Sequence, residues 1–252
     1  MYTFLANSSY GSLHIICLLL SVATIILATI FLRKIDIAKS IRIMLIIGII
    51  SEILKVGTYI IINEDTLNGY LPKTDLPFHL CSIQIIFLVI LTLTKNESLK
   101  RLLFSFMIPT CLIGGFAALM IPTSSSLNVG VITVQYFMYH SAIMWFALKL
   151  LLSKEFTLTI SDYFKSLIFL LAIGMIAIYI NSILNDYVHN INFMYVVNPP
   201  ADNLPILNKN HGWLVYILSY GAIAVIAISV FYIKPFITYF KNKSNNKKES
   251  NN

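Results

Sequence analysis

Residues 13–32 read LHIICLLLSVATIILATIFL, twenty residues without Asp, Glu, Lys or Arg, and Arg33 and Lys34 follow at once. Crossing ~30 Å of hydrocarbon takes roughly 20 apolar residues at 1.5 Å each. The stretch therefore predicts a membrane-spanning helix with one basic end. Met1 to Ser12 hold no Lys or Arg, so the run lacks the basic start of a secretory leader and reads as a retained helix. Six more stretches of similar character follow, at about 41–62, 77–94, 101–121, 131–152, 164–184 and 213–236. The third is short and opens at Pro77, a favourable first-turn residue. The fourth carries Pro109 and Gly114-Gly115, which predicts a kink. The expected fold is all-α: a polytopic bundle of seven transmembrane helices in one domain over 1–240. A basic cytoplasmic tail, 241–252, is expected to be disordered.

Composition agrees. The 252 residues are 58% hydrophobic and 12% charged, with a mean hydropathy of +0.80. A soluble domain carries about 25% charged residues, so too little polar surface remains here to face water on every side. The formal charge of +7 sits in particular loops and reports orientation, not nucleic-acid binding. Much Ile, Asn and Lys with few Gly, Pro and Trp points to an AT-rich bacterial genome and a bacterial plasma membrane. Cys17, Cys81 and Cys111 lie in three separate apolar segments, which makes a disulfide scaffold unsuitable.

Lys and Arg fix the orientation. Arg33, Lys34, Lys39 and Arg42 join the first two spans, Lys95, Lys100 and Arg101 the third and fourth, and Lys149, Lys154 and Lys165 the fifth and sixth. Lys234, Lys241, Lys243, Lys247 and Lys248 follow the seventh. These are fifteen of eighteen basic residues. The other side holds Lys73 and Lys209, and Lys55 lies within a span. The positive-inside rule then puts the N-terminus outside and the C-terminus in the cytosol. Two outer loops, about 63–76 and 185–212, are long and polar. Such backbone cannot lie free in lipid, so each sits in water or folds back over a cavity.

Ionisable residues inside spans are functional candidates. Glu52 falls near the midplane of the second span and Lys55 lies three residues on, on the same face. The two either form an internal ion pair that fixes packing, or Glu52 orients a catalytic histidine. His140, about nine residues into the fifth span, is either a packing histidine or a base. The densest cluster is Pro77-Phe78-His79-Leu80-Cys81, followed by Gln84. Cysteine most often only packs, and Cys17 and Cys111 read that way. With His140 in reach, Cys81 would gain a base for its thiol, with Glu52, Gln84 or Asn192 holding the tautomer. Depth argues against easy contact: Cys81 falls ~6 Å below the outer end of its helix and His140 ~13 Å below its own. A zinc site of His79, Cys81, His140 and His211 is a rival, but no pair has i, i+4 spacing. No cofactor or metal is expected.

At these residues the chain resembles the YwaF group of bacterial membrane proteins and their animal relatives, the transmembrane protein 164 family. The matching elements are Leu76-Pro77-Phe78-His79-Leu80-Cys81, the later His140, Asn192-Phe193-Met194-Tyr195, and Trp213 with Tyr216. The resemblance covers about residues 45–230. Where the family pattern has Gly-Pro-Trp, this chain reads His211-Gly212-Trp213. The resemblance implies a multi-helix acyltransferase in which Cys81 carries an acyl thioester and His140 serves as base. His79, Glu52, Gln84, Asn192 and Tyr195 would support them or contact substrate. A phospholipid or lysophospholipid is the implied partner. With Cys81 on the outer side, cytosolic acyl-CoA is out of reach, so another lipid would be the acyl donor. The competing readings are a transporter with Glu52 and His140 on its path, and a non-catalytic scaffold or sensor.

Overall fold

The computed structural model describes residues 11–61, 71–122, 130–185, 191–199, 207 and 212–249, with side chains up to residue 243. Eight α-helices and no strand occur among them. They are α1 (Ser12–Phe31), α2 (Ile37–Ile61), α3 (Leu80–Leu93), α4 (Glu97–Met120), α5 (Gly130–Leu152), α6 (Ile160–Leu184), α7 (Trp213–Phe231) and α8 (Ile233–Glu249). Six of these, α1, α2, α4, α5, α6 and α7, are long and apolar enough to cross a membrane. The chain is a multi-pass membrane protein. Helix α8 runs to Glu249, into the segment expected to be a disordered tail. It continues the chain from α7 after a break at Tyr232, whose ring is fully buried against Tyr163, so its start is fixed by tertiary packing and only its polar end depends on propensity.

Helices α4 and α5 form the centre, with more than half of their apolar windows buried, against about a tenth for α1 and α7. Helix α5 packs on α1, α2 and α4, and α4 packs on α3, α6 and α7. The outward faces of α1, α6 and α7 carry exposed Leu, Ile and Phe. Those faces need lipid as their solvent. Small residues let the central helices approach closely. A Cβ at Gly115 of α4 would lie 2.5 Å from Met144 Cγ and 3.3 Å from the His140 carbonyl oxygen. A Cβ at Gly48 of α2 would lie 2.9 Å from Ile85 Cγ1.

Helix α3 has 14 residues, about 21 Å at 1.5 Å each, short of a full crossing. It begins at Leu80 instead of Pro77. The preceding residues run as extended backbone with one 3-10 turn, Lys73–Asp75. Irregular backbone is tolerated at membrane depth only where protein or a water-filled cavity surrounds it, and here α2 supplies partners. Lys55 Nζ donates to the Asp75 carbonyl at 3.1 Å, and the Tyr59 hydroxyl donates to Asp75 Oδ2 at 2.7 Å. Lys55 also pairs with Glu52 at 2.9 Å. The Glu52–Lys55 pair therefore anchors the approach to α3.

Pro109 sits inside α4 and has no N–H to give the carbonyl of Ser105, four residues back. The Tyr232 hydroxyl, at the α7–α8 break, donates to that carbonyl at 3.1 Å. Ser166 of α6 bonds both the Ser105 and Tyr232 hydroxyls at 3.2 Å. A proline in mid-helix thus becomes the point where three helices are tied.

The same end of the bundle holds a bidentate ion pair. Arg101 of α4 donates through Nε and Nη2 to the two oxygens of Asp162 at 2.8 and 2.6 Å, and to the Thr157 carbonyl at 2.9 Å. Asp162 is 1% exposed and closes the capping box of α6 with Thr159. Removing one partner of such a pair strands the other. Asp162→Ala is expected to lower unfolding stability by about 2–4 kcal/mol, measured by SDS titration in mixed micelles. Glu97→Ala, which breaks the exposed Glu97–Lys100 pair, should change it by less than about 1 kcal/mol.

Candidate functional site

The irregular approach places the start of α3 deep in the bundle. Cys81 is only the second residue of α3, whereas His140 lies ten residues, about 15 Å, into α5. The two levels nevertheless meet: the Tyr139 hydroxyl of α5 donates to the Cys81 carbonyl at 2.8 Å. Of the third span expected over 77–94, the first three residues are non-helical and Cys81 falls in the first turn of the helix. Gly114 and Gly115 of α4 face Leu80 and the His140 backbone respectively. A Cβ at Gly114 would touch Leu80, and one at Gly115 would press on the His140 carbonyl.

Cys81 is partly exposed, while Cys111 is buried. His79, the residue before α3, makes no side-chain cap, and the first backbone bond into the helix is Ile83 N–H to the His79 carbonyl at 3.0 Å. The N–H groups of Leu80, Cys81 and Ser82 thus lack a helical acceptor.

His140 is 7% exposed. Its Nδ1–H donates to the Tyr136 carbonyl at 2.7 Å. An N–H on Nδ1 leaves a neutral imidazole with its lone pair on Nε2, the tautomer a general base needs. The orienting group is a backbone carbonyl one turn back, so neither Glu52 nor Gln84 nor Asn192 is required for it. The Tyr136 ring lies against His140, with centroids 4.3 Å apart, and its hydroxyl donates to the Ala118 carbonyl at 2.8 Å. Tyr136, Tyr139, Tyr195 and Tyr220 all fall within electrostatic range of Cys81. His79 falls within range of His140.

The segment 191–199 closes the site. Asn181 and Asn185, four residues apart on α6, each bond one residue of it at both ends. Asn181 Nδ2 donates to the Phe193 carbonyl at 3.0 Å and its Oδ1 accepts from Phe193 N–H at 2.8 Å. Asn185 does the same with Ile191 at 3.2 and 2.6 Å. The spacing fits: four helical residues rise about 6.0 Å and two extended residues about 6.6 Å. Two asparagines thus serve the loop as a strand partner would. On the other side, Trp213 Nε1–H donates to the Val196 carbonyl at 2.9 Å, and the Tyr216 hydroxyl to the Tyr195 carbonyl. Gly212, just before α7, has φ +87°, a conformation glycine adopts readily.

Held this way, the loop puts Phe193 and Tyr195 against His79, with ring centroids 5.2 and 5.8 Å away. Met194 and Tyr195 both have positive φ, 55° and 54°, which costs side-chain-bearing residues energy and marks a conformation imposed by its surroundings. Burial pushes the Tyr195 phenol above its ordinary range.

A family model for the TMEM164 family matches residues 9–232. The chain belongs to the TMEM164 family. No curated protein and no solved structure matches it.

In this TMEM164 family member the residues singled out from sequence fall into two groups. His79 and Tyr195 meet beside the start of α3, where Cys81 is bonded by Tyr139, the neighbour of His140. Gln84, one turn further on, is 1% exposed; its Nε2 donates to the Leu80 carbonyl at 3.2 Å and to Thr110 Oγ1 at 3.4 Å. Its Oε1 has no partner, a state no other buried side-chain N or O shares among the described residues. Glu52 and Asn192 act at one remove. Glu52 is paired with Lys55, and Asn192 folds its own loop, donating to the Asn198 carbonyl at 2.8 Å and accepting from Val197 and Asn198 N–H at 3.1 Å. His211 lies outside the described residues. No group of three His, Cys, Asp or Glu among the described residues is placed to hold a metal. Sequence reasoning missed Asn181, Asn185, Tyr136 and Tyr139. Asn-x-x-x-Asn at the end of an apolar span was the available signal for the first two, since paired amides in lipid need partners.

Asn181→Leu would leave the buried N–H and C=O of Phe193 unpaired, a local cost of about 2–4 kcal/mol. Hydrogen exchange at 191–198 should quicken at least tenfold while α4 and α5 keep their protection. Unchanged exchange there would show that the loop is held by other means.

Proposed function

We propose that this protein is a membrane-embedded lipid acyltransferase that works through an acyl thioester on Cys81, with His140 as general base. The reading takes the chain as a seven-span protein of a bacterial plasma membrane, akin to the YwaF group, with the N-terminus outside, α3 as the short third span and its thiol near the outer leaflet. The distribution of Lys and Arg supports that orientation. The observation that carries the chemistry is the Tyr139–Cys81 hydrogen bond, which locks the start of α3 to the residue beside a base of fixed tautomer. Membership of the TMEM164 family supports a membrane protein of this type.

In the first half-reaction His140 Nε2 takes the Cys81 proton and the thiolate attacks the ester carbonyl of a phospholipid. The uncapped N–H groups of Cys81 and Ser82 stabilise the oxyanion, a role open to them because the Asn192 amide is engaged in its loop. The C–O bond breaks, His140 returns the proton to the leaving oxygen, and a lysophospholipid departs. In the second, His140 accepts the proton of a lysolipid hydroxyl, that oxygen attacks the thioester, and the C–S bond breaks with reprotonation of the thiol. Water as acceptor makes the same site a lipase. Gln84 Oε1, buried without a donor, is suited to accept a hydrogen bond from the hydroxyl of the lysolipid acceptor.

Intact-mass spectrometry of protein incubated with phospholipid should find an acyl adduct released by hydroxylamine. Cys81→Ala should abolish it, and Cys17→Ala and Cys111→Ala should retain it. An adduct that survives Cys81→Ala sinks the mechanism. Gln84→Leu should slow transfer of the acyl group from the adduct to added lysophospholipid at least tenfold yet alter stability by less than about 1 kcal/mol, because it removes an unpaired acceptor along with two long hydrogen bonds. Equal losses in activity and stability would make Gln84 a packing residue.

A further inference from the structure

A cavity of about 530 Å³ opens at the opposite end of the bundle from Cys81, between the start of α2, the end of α3, the start of α4 and the α5–α6 connection. At about 30 Å³ per water-sized group, it has room for well over ten non-hydrogen atoms. Its depth is apolar: Ile41, Leu91 and Phe104 line it and are themselves almost fully buried. Its rim is charged. Lys100 is paired with Glu97 at 2.7 Å, and Arg101 with Asp162 at 2.6 Å. Arg42 and Glu155 also line the cavity, and neither pairs with the other or with any other side chain among the described residues. Both are exposed.

A cation and an anion that face one cavity without meeting, above an apolar floor, match a ligand with separated charges of both signs and a hydrocarbon end. The cavity lies at the end of the bundle where most Lys and Arg gather, the level of lipid headgroups. Arginine is the natural partner of a phosphate oxygen, and a carboxylate that of a primary ammonium. We propose that this cavity holds the headgroup of a zwitterionic aminophospholipid, its phosphate on Arg42 and its ammonium on Glu155, above the apolar floor of Ile41, Leu91 and Phe104. The site is separate from Cys81 and independent of the acyltransferase reading.

The test is lipid selection by the full-length protein. Protein reconstituted in nanodiscs with equal mole fractions of phosphatidylethanolamine, phosphatidylglycerol and phosphatidylcholine is released and its retained lipid identified by native mass spectrometry. Phosphatidylethanolamine should be retained several-fold over the other two. Arg42→Gln should bring all three to the bulk ratio, and Glu155→Gln should move the preference to phosphatidylglycerol. Both side chains are exposed and unpaired, so these variants should fold as the parent does. Retention at the bulk ratio in the parent, a parental preference for phosphatidylglycerol, or the same selection in both variants overturns the proposal. So does displacement of the lipid by millimolar free phosphoethanolamine, which would assign the site to a soluble phosphate compound.

Discussion

Backbone that is neither helix nor closed sheet has to find hydrogen-bond partners within the protein once it drops below a membrane surface. That constraint organises the half of this molecule around the start of α3. Two irregular segments, 71–79 and 191–199, enter the bundle, and specific side chains serve each. Lys55 and Tyr59 hold the first at Asp75. Asn181, Asn185, Trp213 and Tyr216 hold the second at Phe193, Ile191, Val196 and Tyr195. The two segments then meet through the rings of Phe78, His79, Phe193 and Tyr195. The candidate residues lie where these two segments meet the start of α3.

The helical character could be read directly, because apolar length is a one-dimensional property of the chain, whereas α2, α4 and α6 each start four residues before the apolar run suggests and α7 stops five residues early. The third span shows where that reading stops. Hydropathy places Pro77 and Phe78 in the membrane equally well as helix or as descending loop, since it does not register which backbone groups find partners. The choice is made by Lys55 and Tyr59 on another helix. The cluster around Cys81 stood out by residue type, but its depth relative to His140 could not be obtained from span limits, for the same reason. Glu52 was legible as half of a pair with Lys55, and the packing alternative describes what it does. Asn192 had the right chemistry for an active-site amide, and only coordinates reveal that its hydrogen bonds serve its own turn.

The opposite half follows another logic. There the helices are joined by short connections, and side chains replace backbone bonds at single points. The carbonyl freed by Pro109 is met by Tyr232, and the first turn of α6 is closed by Asp162, which also receives Arg101. These contacts fix α4 against α6 and the α7–α8 junction at the basic end, and at the other end α4 presents Gly114 and Gly115 to Leu80 and His140. One central helix therefore carries both a rigid anchorage and the close approach on which the site depends.

That arrangement bears on how a thiol near lipid would be kept reactive. Cysteine in apolar surroundings is driven toward the neutral, inert form. Because α3 starts at Leu80, Cys81 lies in the first turn of the helix. The N–H groups of Leu80, Cys81 and Ser82 stand there without a helical acceptor. The irregular approach and the short helix are thus one device. Its cost in satisfied backbone is met by residues that have no other evident task. A span of ordinary length would have been simpler to fold and would have placed this sulfur among side chains alone.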